Sequence, residues 1–182
     1  MHSPLARGVL TILPACVALS MFPGCQASAP SHAGVPAPAC SDPYLSHLVG
    51  EWDIQRSIRG KVVGNRLEVE PILDGAFIRL HMQSTTPTDP YEAIVLVGFD
   101  VERGEYVAHW CDSFGPGMSA VGRGKRVGER LELRFDYPSG PFYNTWVRLP
   151  ETGEWTFTGE SGSADGSRRL FARDVVKRRS TR

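Results

Sequence analysis

The sequence predicts an all-β protein: an antiparallel up-and-down β-barrel of about ten strands, behind a signal and a linker. Three observations predict it. From Tyr44 onward, turn-forming residues recur at even spacing. The segments between those turns alternate polar and apolar residues. The first 42 residues do neither.

Residues 1–24 read as a signal peptide of the lipoprotein type. Arg7 is their only charged residue, the run from Gly8 to Phe22 is apolar, and Pro23-Gly24-Cys25 follows. A positive start, an apolar stretch and a small residue before the cut make a secretory signal. The run is too short for a membrane-spanning helix, and Pro14 would disturb one. Phe22-Pro23-Gly24-Cys25 resembles a bacterial lipobox, in which the cysteine becomes the lipidated first residue, although Phe22 stands where Leu is usual. Leu13-Pro14-Ala15-Cys16 is a second candidate, and Ala27-Ser28-Ala29 offers a site to an ordinary signal peptidase. Lipidation at Cys25 is the reading adopted. It implies an exported, periplasm-facing lipoprotein of the outer membrane, touching the membrane through its lipid anchor only. A soluble periplasmic or secreted protein is the alternative. Residues 25–42 are rich in Ala, Pro and Ser without periodicity. Such a composition cannot bury enough apolar surface to order itself and reads as a flexible tether.

The barrel domain is expected over residues 43–180. A short helix around Pro43 to Val49 would lead into the first strand and cap one end. Turn signals then fall at Arg59-Gly60, Asp74-Gly75, Pro87 to Pro90, Arg103-Gly104, Gly115 to Gly117, Gly128-Glu129, Ser139-Gly140, Thr152-Gly153 and Asp165-Gly166. They divide the segment into strand-sized pieces, and tight turns throughout favour an up-and-down barrel over a Greek-key sandwich. Residues 130–137 alternate at every position, with Leu131, Leu133, Phe135 and Tyr137 on one face. Residues 93–99 are apolar on both faces, which suggests a strand covered on its outside too. Residues 77–83 place Phe77, Arg79, His81 and Gln83 on one face and Ile78, Leu80 and Met82 on the other. An outer-membrane barrel would need an apolar outer band. Arg130, Glu132, Arg134 and Asp136 instead charge one face of a strand along its length.

The formal net charge is zero, so no global field favours nucleic acid, and no nucleic-acid partner is expected. The basic end (Arg168, Arg169, Arg173, Lys177, Arg178, Arg179 and Arg182) reads as a solvated strand face and tail. With Cys25 acylated, Cys40 and Cys111 are the remaining cysteines of the mature chain, and an oxidising periplasm leaves both a disulfide and two free thiols open.

A set of short segments then carries a resemblance. Leu48-Val49-Gly50-Glu51-Trp52 opens the domain and Ile72-Leu73-Asp74-Gly75 ends the second strand. Gly98-Phe99-Asp100, Trp110-Cys111-Asp112-Ser113 and Leu131-Glu132-Leu133 follow in order. Together they resemble the bacterial family catalogued as domain of unknown function 1579, over most of residues 44–178. That family is similar to the calycin group, which includes lipocalins, fatty-acid-binding proteins and nitrobindins. The resemblance implies a ten-stranded barrel with an interior cavity and no settled activity.

Four chemistries bear on these residues. Nitrobindin-like barrels hold haem through a late histidine, and no His follows His109. Cys111 and Met118 stand in no haem motif, so no cofactor is expected. A metal site would need His81 and His109 plus a third ligand, and Asp112 faces away from His109, so none is assigned. Ser113 lies near His109 and Asp112, but sequence proximity is not triad geometry and no Gly-x-Ser-x-Gly elbow is present. No catalytic residue is therefore named. The fourth chemistry is a ligand cavity lined by Trp52, Trp110 and Trp146, with Arg79, His81 and His109 as polar contacts. The reading adopted is an exported barrel that binds a small apolar or amphipathic molecule. A filled barrel acting through its surface in the envelope, and an enzyme of unidentified reaction, stay open as alternatives.

Overall fold

The computed structural model describes residues 40–180. The signal segment, Cys25 and most of the expected tether lie outside them, as does Arg182. The strands are β1 (Gly50–Ile58), β2 (Lys61–Ile72), β3 (Phe77–Ser84), β4 (Glu92–Asp100), β5 (Glu105–Asp112), β6 (Ala120–Val127), β7 (Arg130–Tyr137), β8 (Gly140–Leu149), β9 (Glu154–Gly162) and β10 (Arg168–Arg178). All pair antiparallel with their chain neighbours, and β10 returns to pair with β1, so the sheet closes into a barrel. Each turn expected from the sequence falls at the junction of two strands, with Gly140 of the Ser139-Gly140 turn opening β8. At the β1–β2 turn Arg59 (φ 49°) and Gly60 (φ 77°) are both left-handed, as a two-residue type I′ hairpin requires.

Alternation decides what faces inward. On β7, Leu131, Leu133 and Phe135 are buried while Arg130, Arg134 and Asp136 are exposed. On β3, Ile78, Leu80 and Met82 are buried, which turns Phe77, Arg79, His81 and Gln83 outward. The outer face of β4 is not fully covered: Ile94 is exposed there. Gly122 of β6 is an inward position opposite Phe135, and a Cβ on it would lie 2.5 Å from that ring. The glycine thus leaves the lumen to the phenyl group.

One end of the barrel is plugged. Helix α1 (Pro43–Ser46) is capped by the Asp42 carboxylate, which accepts from the Leu45 N–H at 2.8 Å. Leu45 and Leu48 are 1% and 0% exposed. Tyr44 donates its hydroxyl to the Trp146 carbonyl at 3.2 Å and stands edge-on to Trp155. Cys40 to Asp42, expected in the tether, pack here too: the Ser41 N–H donates to Gly75 O, and Cys40 lies against the core.

These plug contacts set an alkaline limit. Burial pushes the Tyr106 hydroxyl up to about 12, with the neighbouring Asp42 carboxylate adding to the effect. Burial raises Tyr44 as well. Tyrosine in an unfolded chain ionises near pH 10. A group raised on folding stabilises fully below its unfolded value and loses that contribution as pH climbs through its folded value. The urea midpoint is therefore expected to hold up to about pH 10 and to fall between about pH 10 and 12. A flat profile across that window would mean the plug hydroxyls are solvated.

Candidate functional site

Behind the opposite end lies a cavity of about 540 Å³, within the roughly 300–1,000 Å³ typical of small-molecule sites. Its inner part is apolar: Leu80, Val95, Phe135, Trp146 and Phe157 each enter it from a different strand. Its mouth is bordered by the loops at residues 85–91, 113–119 and 163–167 and by the tight turns at 59–60 and 138–139. Phe114 stands 71% exposed at this rim, with Met118 beside it on a short 3₁₀ turn, Pro116–Met118.

Below the mouth a half-ring of polar groups follows the wall from β10 to β5. Arg56 donates from Nε to Asp174 Oδ1 at 2.8 Å and from Nη2 to Asp174 Oδ2 at 2.7 Å, a bidentate pair. Nη2 also reaches Met82 Sδ at 3.2 Å, and the guanidinium lies 5.4 Å from the centre of the Tyr91 ring. Tyr91 donates its hydroxyl to Asp112 Oδ2 at 3.5 Å, and Trp110 Nε1 donates to the same oxygen at 3.2 Å. Burial works against the Arg56 charge, but the Asp174 carboxylate outweighs it and holds the guanidinium above its ordinary value. Burial pushes Tyr91 up to about 12, so its hydroxyl stays protonated at neutral pH. Asn65, 3% exposed, also lines the cavity, and its Nδ2 finds no acceptor among the described residues.

Of the residues singled out from the sequence, Trp110 and Trp146 line this cavity. Trp52 is buried at the plugged end, donating Nε1 to Leu48 O at 2.7 Å beneath the Arg178 guanidinium. The other three stand on the outer face. Arg79 pairs with Glu70 at 3.0 Å, His81 with Glu92 at 2.7 Å, and His109 is exposed beside Phe77. The apolar residues that alternate with them take the lumen. Arg56, Asp174, Tyr91 and Asn65 were missed by sequence reasoning, and Asp112 was considered there only as a metal or triad partner, not as a cavity residue. A usable signal existed: Arg56 falls in phase with Trp52, Ile54 and Ile58, and Asp174 with Ala172 and Val176. A charged residue in phase with an inward apolar row marks a polar group in the interior.

Elsewhere, Cys40 and Cys111 are free thiols. Much of the basic end is ion-paired: Arg168 with Glu132 and Glu160, Lys177 with Glu154, and Arg179 with Glu51 and Asp53. His109 and Asp112 face opposite sides of β5, as alternation requires. Haem does not fit the donor set. The cavity walls carry neither His nor Cys, the Met82 sulfur is engaged by Arg56, Met118 stands exposed at the rim, and burial raises both Tyr91 and Tyr137 against ionisation. No cluster of three or more His, Cys, Asp or Glu suited to a metal ion occurs among the described residues.

The fold is shared with a solved protein. The crystal structure of Rv2717c from M. tuberculosis aligns with a TM-score of 0.54 and 12% identity, covering 76% of this chain and 99% of that one. At this identity the match speaks to the fold alone. No curated protein matches the chain in sequence. Residues 38–178, the barrel and its plug, match the family described as Protein of unknown function (DUF1579), and the chain belongs to that family.

Proposed function

We propose that this barrel binds one small amphipathic molecule, with its apolar body in the inner cavity and its polar head at the half-ring below the mouth. One observation carries the reading: a cavity of about 540 Å³ that is apolar inside and polar toward its opening. Such a space left empty forfeits packing energy that a filled core would keep. It supports ligand binding over a filled interior. The chain joins one bidentate ion pair and a carboxylate through Tyr91 rather than scattering them, which suits a ligand held in one orientation.

Native mass spectrometry of the protein as processed by its own host tests the reading. A single bound small molecule is the expected result. In the same preparation, Val95→Trp should fill the inner cavity and weaken binding of a neutral fluorescent naphthylamine by at least about tenfold. Absence of any adduct, together with no naphthylamine binding by the unmodified protein, would refute the proposal.

A further inference from the structure

We infer that the head group accepted below the mouth is uncharged, a hydroxyl or carbonyl group, and that the site disfavours carboxylates. The inference rests on the ligand-binding reading above and names its ligand class. Barrels that hold anionic amphiphiles need a cation free to meet the anion. Here the cavity-lining charges that are not surface-exposed are Arg56, Asp174 and Asp112, one cation against two carboxylates. Arg56 is already neutralised by the two-point contact with Asp174. Asp112 is linked to the guanidinium through Tyr91, whose ring the guanidinium faces and whose hydroxyl the carboxylate accepts. An entering carboxylate would lose its hydration and meet an excess of negative charge. Arg59, Arg169 and Asp89 also border the mouth, but they are exposed and their fields are screened by solvent.

The second observation concerns the hydrogen bond on offer. By register, Asn65 pairs with Ile54 while Arg56 pairs with Val63. Asn65 therefore sits one inward position deeper than the ion pair. Its Nδ2 is a buried donor without an acceptor, a costly state that a ligand oxygen would relieve. The Asp112 carboxylate, which already accepts from Tyr91, Trp110 and the Phe114 N–H, is a further acceptor on the cavity wall toward a ligand hydroxyl. A neutral head carrying both a carbonyl and a hydroxyl satisfies both groups, and a carboxylate satisfies only the first.

The test is a displacement assay on the full-length protein with a neutral naphthylamine probe at pH 8. The competitors are decanoate, decanol and 1-monodecanoylglycerol, all below their micelle thresholds. The glycerol ester is expected to bind about tenfold or more tighter than decanoate. Asp112→Asn should strengthen decanoate binding several-fold. Asn65→Leu, close in volume, should weaken the ester several-fold more than it weakens the probe. Equal or tighter binding of decanoate by the unmodified protein would overturn the inference and leave the ligand-binding reading standing. Failure of the probe and of all three competitors would overturn both. The comparison among competitors needs no variant, so it decides the question even where a substitution impairs folding.

Discussion

Replacing Asp174 with alanine is expected to lower the unfolding free energy by about 3–5 kcal/mol, read from the urea midpoint of tryptophan fluorescence. The Arg56 and Asp174 side chains are 13% and 5% exposed. Removal of one partner strands the other charge in the barrel wall, and that stranding, more than the lost attraction, sets the magnitude. The same logic predicts that Arg56→Met together with Asp174→Leu recovers most of the loss, because an apolar pair of similar volume needs no hydration. A single-variant loss below about 1 kcal/mol would mean that water reaches the pair and that the interior is wetter than its walls suggest.

The second large effect lies at the other end. Leu45→Ala combined with Leu48→Ala should cost roughly 5 kcal/mol, since each buried leucine truncation costs about 2–5 kcal/mol and neighbours share their losses. A domain has about 5–15 kcal/mol in total, so the double variant should melt far below the unmodified protein. Phe114→Ala at the mouth is the control. The side chain is 71% exposed, and its loss should stay within about 0.5 kcal/mol. A mild effect of the plug variant would show that the strands hold the barrel without a stopper.

The fold was legible because it is built from local rules. Turn residues such as Arg59-Gly60 and Asp165-Gly166 mark hairpins, and the alternation of residues 130–137 assigns faces without any tertiary information. The site was less legible, for two different reasons. Arg79 and His81 attracted attention by their chemistry, although the fully apolar parity of Ile78, Leu80 and Met82 already claimed the lumen. Here the pattern held the answer and chemical interest overrode it. Depth along the barrel was another matter. Trp52 is inward-facing like Trp110, yet it lies at the plug, because α1 fills that end. Likewise Arg56 and Asp174, 118 residues apart, become partners only when β10 closes on β1. That register is a property of the whole ring, and no window of sequence contains it.

The closure of β10 onto β1 has a kinetic consequence. Among the ten strand pairs of the ring, all but this one join neighbours in the chain. Hairpins between neighbours form fast, while joining the two ends of a long segment must first overcome its loop-closure entropy. The ring should therefore grow as a curling ribbon and shut last, with the Arg56–Asp174 pair forming at that final step. A circular permutant joined through residues 40 and 180 and opened at Gly166 keeps every strand pair. It would move the last step to the boundary between β9 and β10, and the buried charge pair would then form early, inside a hairpin.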